Sequence, residues 1–294
     1  MAGRTSHPRI FLLLICLLIT LCLPLWGCSL LDTRTASAPP ATGEVRVTML
    51  DVGQGDAICI QAGDGSTMLI DTGDTPTKAQ LVTDLRALGV TQLDYLVLTH
   101  AHADHIGGAQ AVIEAFPIKK VLISPQAATS KVYTNTLKAL QAKNIPTKRP
   151  AVGEAFTLGD AQFTCLGPAQ DQYSDINNSS IVLRMTHGDK AFLFTGDMEA
   201  LEEREILATG TDLSCDVLKA AHHGSDTSTT DPWLAACGPN LDTILISVGA
   251  DNDYGLPGKR MLARGETYRL YRTDLQGAVT VVSDGQTISI TSEH

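Results

Sequence analysis

Residues 99–108 read THAHADHIGG, and this stretch places four potential metal ligands within six residues, namely His100, His102, Asp104 and His105. It directly follows the apolar run YLVL at 95–98, which is typical of a buried strand. Side chains alternate along an extended segment, so His100 and His102 are expected to project the same way. Asp104 and His105 diverge where the chain turns toward a helix, which predicts two ligands for one cation and two for its neighbour. Neutral imidazoles and carboxylates suit Zn²⁺, and they also suit Mn²⁺ or Fe²⁺.

The elements around this stretch alternate between strand and helix patterns. Short β-rich runs at 45–50, 57–61 and 67–71 come first, separated by Gly-rich turns. A helical pattern at 77–88 ends at Gly89, and a buried-type strand at 93–98 follows. The second half repeats the order with strands near 161–166, 180–186 and 190–195 and a helix at 199–208. The pattern predicts a layered α/β protein, with helices on both outer faces of a pair of sheets and one domain over 44–294.

Several further blocks make this a recognisable arrangement. THAHADHIGG resembles the HxHxDH signature of the metallo-β-lactamase fold superfamily. The blocks LDVGQGDA (50–57), LIDTG (69–73), NNSSIVL (177–183), FLFTGD (192–197), LKAAHHGSDTST (218–229) and YRTDLQGAVTV (271–281) resemble the C-terminal hydrolase-like domain of ComEC-type competence proteins. The resemblance implies an αββα sandwich, a metal site at the sheet edge and a binuclear metal-dependent hydrolase. It does not extend to the polytopic channel of full ComEC proteins, so this chain is not expected to be the DNA pore.

The resemblance also implies metal ligands, position by position. His100 and His102 match the ligands of one metal ion, while Asp104 and His105 match those of the other. Asp197 matches the carboxylate that bridges the two ions. The last imidazole comes from the HHG turn, where His223 is favoured over His222 because it directly precedes Gly. The expected cofactors are two divalent ions, with zinc favoured and manganese as an alternative.

Other residues are expected to act beside these ligands. His222 is predicted to touch the substrate and to donate a proton to the leaving group, and Asp104 to assist proton transfer. Asp71 is expected to orient a ligand histidine without binding the metal itself. Asn178 and Ser225 are expected either to support the ligands or to hydrogen-bond the substrate.

Two departures from the family pattern weaken the expected site. Many relatives have another histidine near 177–180, where this chain has Asn-Asn-Ser-Ser, so the His100/His102 site is expected to be ligand-poor. Relatives tend to have His-Pro where this chain has Leu256-Pro257, which removes a candidate phosphate contact or proton donor.

The charge balance limits the classes of substrate that the protein is expected to bind. With 22 basic and 32 acidic residues, the net charge is −10, so the chain lacks the broad basic surface that duplex DNA binding requires. A local basic rim is expected instead from Lys219, Lys259, Arg260 and Arg264. The favoured hypothesis is a phosphodiesterase or nuclease-like enzyme, with single-stranded DNA as one candidate substrate. The alternatives are a hydrolase of a small ester, such as a phosphocholine ester or lactone, and a metal-binding accessory protein without turnover. The sequence identifies no protein partner.

The N-terminal region reads as a targeting segment. Arg4 and Arg9 precede an apolar run at 10–25, and the run ends in Leu25-Trp26-Gly27-Cys28. Leu-x-Gly-Cys resembles the lipobox of bacterial lipoproteins, which predicts a signal peptide at 1–28 and lipidation of Cys28. An uncleaved membrane anchor is the alternative, and both place the domain outside the cytoplasm. Residues 29–43 are small, polar and Pro-containing, which predicts a flexible linker.

The remaining cysteines are predicted to be structural. Cys59, Cys165, Cys215 and Cys237 lack the C-x-x-C spacing of a metal site. The first three lie in apolar stretches and are expected to be buried free thiols. Disulfide pairing among the four is left open.

Overall fold

The computed structural model describes residues 1–3 and 37–294, and its strands form two sheets. In the first, eight strands lie in the order β15-β14-β1-β2-β3-β4-β5-β6. Their bounds are β1 Val45–Met49, β2 Ile58–Ala62, β3 Thr67–Ile70, β4 Leu93–Leu98, β5 Ile118–Ile123, β6 Thr147–Lys148, β14 Val279–Ser283 and β15 Ile288–Ser292.

The second sheet has seven strands in the order β13-β12-β11-β10-β9-β8-β7. Their bounds are β7 Ala155–Leu158, β8 Ala161–Gly167, β9 Val182–His187, β10 Lys190–Phe194, β11 Val217–Lys219, β12 Thr243–Ile246 and β13 Arg269–Arg272. Strands β10 to β13 are parallel, as are β3 to β6 in the first sheet.

The helices lie between these strands in the sequence. Their bounds are α1 Lys78–Ala87, α2 Ala103–Ile106, α3 Ala109–Ala115, α4 Lys131–Ala142, α5 Ala200–Ala208, α6 Asp231–Ala236, α7 Lys259–Gly265 and α8 Thr273–Gln276. Short 3₁₀ turns form at Thr75–Thr77, Ile176–Ser179 and Ala221–Gly224.

Three apolar layers hold the architecture together. Between the sheets, Val47 and Ile60 of the first sheet belong to the same buried cluster as Phe163 and Leu183 of the second. A second cluster packs α1, α3 and α4 against the outer face of the first sheet, and a third packs α5, α6 and α7 against the second. Helices therefore cover both outer faces, and the predicted αββα sandwich is confirmed.

The topology brings several strand ends to one edge. Because β3 and β4 are parallel, the segments that follow them leave the first sheet on the same side. The segments after β10, β11 and β12 leave the second sheet together for the same reason. In open α/β sheets this carboxyl edge is where ligand-binding loops gather.

Part of the predicted linker lies among the described residues. Of residues 29–43, only 37–43 are described, and there the Ser37 N–H donates to the Ala87 carbonyl (2.7 Å) and Pro40 is buried. Cys28 and the predicted signal peptide lie outside the described residues, apart from residues 1–3. Within residues 1–3 and 37–294, no helix is both long and apolar enough to cross a bilayer.

All four cysteines in the described part of the chain are buried free thiols, as predicted for Cys59, Cys165 and Cys215. Burial raises the pKa of the Cys59 thiol to about 12, which keeps it protonated and unreactive at neutral pH. Cys237 is buried in the same state.

Candidate metal centre

Asp197 lies at the centre of a cluster of histidines at the carboxyl edge of both sheets. It follows β10, and its Oδ2 is 3.1 Å from His105 Nε2 and 3.4 Å from His223 Nε2. His100 Nε2 and His222 Nε2 are each 3.9 Å from the same oxygen. One carboxylate oxygen thus faces four imidazoles that come from two different loops.

The histidines and acids around Asp197 form two groups. In the first, Asp104 Oδ2 lies 3.2 Å from His223 Nε2 and 3.9 Å from His105 Nε2. In the second, His100 Nε2 and His102 Nδ1 are 3.1 Å apart. Asp104 thus lies beside His105 and His223, and His102 lies beside His100. The assignment of these residues as metal ligands stays a prediction.

Hydrogen bonds behind the rings fix which nitrogen faces the centre. His105 Nδ1 donates to Asp71 Oδ2 at 2.7 Å, and His223 Nδ1 donates to the Ser247 carbonyl at 2.9 Å. Asp71 is itself held by Thr99, whose N–H and hydroxyl donate to its two oxygens (2.8 and 2.6 Å). With both Nδ1 atoms occupied, Nε2 is the nitrogen of each ring that faces Asp197. Asp71 thus lies where a residue that orients a ligand would lie.

The donor set fits a metal ion. His105 Nε2 and His223 Nε2 are 3.3 Å apart, and both rings are fully buried. Asp197 Oδ1 is also buried and has no hydrogen-bond partner among the described residues. A shared cation would satisfy these facing buried groups, and imidazole with carboxylate is a donor set that Zn²⁺ and Mn²⁺ take.

The pKa shifts of the cluster also indicate that positive charge is stabilised there. Burial lowers the pKa of His105, but Asp197 and Asp71 outweigh it and hold that pKa well above its usual range. Burial raises the pKa of Asp197, but His105 and His223 outweigh it and hold that pKa well below the ordinary value. The carboxylates thus stabilise positive charge at the centre, which is the charge that a divalent ion brings.

The HHG turn has a conformation that the sequence did not predict. In an extended segment, adjacent rings would point in opposite directions. Instead, His222 and His223 both have φ of 52° within a 3₁₀ turn, and both rings face Asp197. They differ in surroundings: His223 is buried, whereas His222 is 26% exposed and its Nδ1 lies 3.3 Å from Glu199 Oε1.

Two residues expected near the substrate have structural partners. Asn178 Oδ1 accepts hydrogen bonds from the backbone N–H groups of Glu199 and Glu202, so it caps the start of α5. Ser225 Oγ lies 2.9 Å from Thr227 Oγ1 within its own turn. In the Asn-Asn-Ser-Ser block at 177–180, Ser180 contacts the cluster. Its Oγ accepts a hydrogen bond from the Asp197 N–H at 3.0 Å and lies 3.5 Å from His100 Nδ1.

A buried ion pair behind the centre was missed by the sequence analysis. Lys219 was expected in a basic rim, but it is 1% exposed, forms an ion pair with Asp56 and donates to the Gly196 carbonyl at 3.2 Å. Asp56 Oδ1 lies 3.4 Å from His223 Nδ1. Asp56 belongs to the quoted block LDVGQGDA, so an acid among glycines was the available signal. With Lys219 buried, the rim is less basic than predicted.

A cleft of about 360 Å³ opens onto these groups. It is lined by the residues Gln54, His102, Ala103, Asp104, Asp197, His222, His223, Tyr254 and Leu256. The side chain of Asp104 is 29% exposed there, so both Asp104 and His222 are accessible to a bound molecule.

The sequence profile of the metallo-beta-lactamase superfamily matches residues 50–247, and the chain belongs to that superfamily. Two proteins of competence systems are among its relatives. ComE operon protein 3 of Bacillus subtilis (strain 168) is 31% identical over 260 residues, which is 82% of this chain and 33% of that protein. Competence protein ComA of Neisseria gonorrhoeae is 32% identical over 86% of this chain and 35% of that protein. The resemblance to ComEC-type proteins is therefore confirmed, and the chain spans about a third of the length of these relatives.

Solved structures support the fold alone. The metallo-beta-lactamase fold protein YhfI from Bacillus subtilis aligns with a TM-score of 0.50 at 14% identity, covering 84% of this chain and 99% of that chain. CmlA, a diiron beta-hydroxylase from Streptomyces venezuelae, aligns with a TM-score of 0.50 at 13% identity, covering 80% of this chain and 54% of that chain.

Proposed function

We propose that the protein is a metal-dependent phosphodiesterase of nuclease-like type that acts outside the cytoplasm. The observation that carries the proposal is the position of Asp197 Oδ2, which lies 3.1 Å from His105 Nε2, 3.4 Å from His223 Nε2 and 3.9 Å from His100 Nε2. An oxygen so placed can be shared by two divalent ions, zinc or manganese. Such a pair supplies Lewis acidity and lowers the pKa of water.

The residues that would hold the ions are those of the two groups described. His100 and His102 would hold one, Asp104, His105 and His223 the other, and Asp197 both. Asp71 orients His105, and Ser247 orients His223 through its carbonyl. These bonds are already made in the protein, which lowers the cost of organising the site on binding.

His222 and Asp104 are the groups placed for proton transfer. The Nδ1 of His222 is 3.3 Å from Glu199, an arrangement that orients the ring and leaves Nε2 toward the cleft. A positioned imidazole of this kind can protonate a leaving group at neutral pH. Asp104 is accessible in the same cleft and can accept a proton, in addition to its role as a ligand.

The charge around the cleft favours a short or single-stranded substrate over duplex DNA. Lys219 is buried, and Arg264 donates to the carbonyls of Ser228 and Thr229 and pairs with Asp231. Lys259 and Arg260 remain exposed on α7. Too few free cations are left to neutralise a run of phosphates. Competence-protein relatives support a DNA-related role for this domain.

The experiment compares substrates and variants of the purified domain. The wild type loaded with Zn²⁺ or Mn²⁺ is expected to hydrolyse bis(p-nitrophenyl) phosphate and to cleave single-stranded DNA. Asp197→Ala is expected to lower bound metal to one equivalent or none and to reduce hydrolysis to background, because both ions lose a shared anionic ligand. Asp212→Ala removes an exposed carboxylate and serves as the matched control.

Three outcomes would contradict the proposal. Hydrolysis only of a phosphocholine ester or a lactone would favour the small-ester hydrolase. Full metal content with no turnover on any of these substrates would favour an accessory protein. Full metal content and full activity in Asp197→Ala would refute the shared-carboxylate arrangement.

A further inference from the structure

Tyr254 is an exposed aromatic side chain on the wall of the metal-centre cleft. Its side chain is 74% exposed, the largest exposed fraction among the large apolar residues of segment 37–294. It lines the same cleft as Asp104 and His222. Isolated exposed apolar side chains are common on protein surfaces, but a ring that borders a polar cleft is available to a ligand bound there.

The loop that carries Tyr254 is held in place by one amide side chain. Asn252 Nδ2 donates to the carbonyls of Gly249 (2.9 Å) and Leu256 (2.8 Å). Its Oδ1 accepts from the N–H groups of Tyr254 (3.2 Å) and Leu256 (3.1 Å). These four bonds close the loop on itself around Tyr254.

Both ends of this loop are also tied to the site. The Gly249 N–H donates to Gln54 Oε1 at 3.2 Å, and the Gly258 N–H donates to the Gly224 carbonyl at 2.8 Å. Gly224 directly follows His223, so the loop is joined to the turn that contributes the ligand. The backbone that carries the ring is thus organised before any ligand binds, which reduces the entropy lost on contact.

The neighbours of Tyr254 indicate what kind of group it contacts. Asp251 and Asp253 are exposed on the same loop, so the loop repels phosphate. The phosphate of a ligand is therefore drawn to the metal centre, and an uncharged part lies against the ring. Tyr254 is the one benzene-type ring among the described residues of the cleft, so it offers a one-sided platform and not the several-sided aromatic cage that holds a quaternary ammonium group.

We propose that Tyr254 is a stacking platform for a nucleobase, and that the substrate is a nucleotide ester whose phosphate faces Asp197 while its base lies on the ring. The inference rests on the proposed function, because it uses the phosphate site defined there. Base–aromatic stacking contributes enough affinity to be measured and tolerates any base, since every base has a flat face. Tyr254 would then set substrate class without taking part in bond cleavage.

The test measures binding of two probes that share a phosphate but differ in the base. Thymidine 5′-monophosphate and deoxyribose 5-phosphate are titrated calorimetrically into the wild-type domain in the presence of Mn²⁺. The wild type is expected to bind the nucleotide about 5- to 150-fold more tightly, the range that one stacked base supplies. This ratio is expected to change little between low and high salt, because the base carries no charge.

Variants of the ring give the decisive comparison. Tyr254→Phe keeps a flat ring and is expected to keep the ratio, whereas Tyr254→Leu keeps apolar bulk and is expected to bring it to about one. Leu137→Ala, which shortens an exposed side chain on α4, is the control and is expected to leave the ratio unchanged.

The outcomes separate this inference from the proposed function. Equal affinity of the wild type for the two probes, or an unchanged ratio in Tyr254→Leu, would overturn the stacking site even if phosphodiesters are hydrolysed. Binding of phosphocholine that depends on the Tyr254 ring, with no preference for the nucleotide, would overturn it in favour of a choline site. A failure of the proposed function instead shows as absent hydrolysis by the wild type, and the base-dependent ratio is measured independently of it.

Discussion

At the scale of single residues, the histidines of the centre differ in their burial and in the partner of their Nδ1 atom. The rings of His222 and His223 both face Asp197, yet His223 is buried with its Nδ1 bonded to a backbone carbonyl. His222 is partly exposed, and its Nδ1 lies near the carboxylate of Glu199. A buried ring held by a hydrogen bond is suited to act as a metal ligand. An accessible ring with a carboxylate partner is suited to transfer a proton.

This difference predicts distinct losses for His223→Asn and His222→Asn. His223→Asn is expected to lower metal content and activity together. His222→Asn is expected to keep the metal and to lower turnover by about 10²–10⁴-fold, as for loss of a general acid. Asn is preferred to Ala because both positions have φ of 52°, a region that Asn tolerates better. Metal analysis and kinetics on both variants check this, and the reverse pattern would exchange the two roles.

At the scale of elements, the buried pair Asp56–Lys219 joins the segment before β2 to the end of β11. Both side chains are almost fully buried, and Lys219 holds the pKa of Asp56 below its usual value although burial raises it. Lys219→Met therefore leaves an uncompensated buried carboxylate and is expected to cost about 3–5 kcal/mol of unfolding free energy.

The control for this pair is a surface ion pair of the same type. Lys148 pairs with Glu154 in an exposed setting, so Lys148→Met is expected to cost less than about 1 kcal/mol. Adding Asp56→Asn to Lys219→Met is expected to recover part of the loss. Urea unfolding of the variants measures these differences, and equal costs for the two lysines would contradict the assignment of a buried charge pair.

A second prediction at this scale concerns Glu202 on α5 and the dependence of stability on pH. Burial, with the nearby carboxylates of Glu205 and Glu203, raises the pKa of Glu202 well above its usual range. The folded protein therefore keeps a proton that the unfolded chain releases. The unfolding free energy is expected to fall as pH rises from the unfolded pKa toward the folded pKa, by at most about 1.4 kcal/mol per pH unit.

Glu202→Gln is the variant that tests this dependence. Glutamine has no proton to release on unfolding. The variant is therefore expected to show a weaker fall of the unfolding free energy with pH, and to be more stable than the wild type at alkaline pH. Glu266→Gln changes an exposed acid and should leave the slope as it is. Urea unfolding at several pH values gives the comparison, and identical slopes for the wild type and Glu202→Gln would exclude the buried acid as the cause.

The elements also show how far the sequence determined the fold. Continuous apolar runs such as Leu93–Leu98 were located correctly, because a strand buried on both faces needs apolar residues throughout. The edge strand Arg269–Arg272 was missed because arginine at both ends reads as a loop. The ligand cluster at 100–105 is local in sequence and was predicted. The Asp56–Lys219 pair and the left-handed HHG turn depend on tertiary contacts, so local pattern could not give them.

At the scale of the whole molecule, the candidate metal centre joins loops of the two sheets, because Asp197 faces both His105 and His223. The buried carboxylates of Asp197 and Asp71 and the rings they face come from both sheets, so a ligand that binds them stabilises the folded chain and not the unfolded one. Among the described residues, the three apolar clusters draw their members from position 45 onward. We therefore expect the predicted anchor to be separable from the fold of the domain.

That separation allows a test of the anchor through Cys28. If the lipobox is used, Cys28→Ser is expected to yield an unprocessed or released protein, because serine lacks the thiol that accepts the lipid, while the melting temperature of the domain stays unchanged. Cys22→Ser, within the apolar run, is the matched control and is expected to be processed normally. Membrane fractionation and intact mass decide the matter: unchanged membrane retention and unchanged mass in Cys28→Ser would instead establish an uncleaved N-terminal anchor.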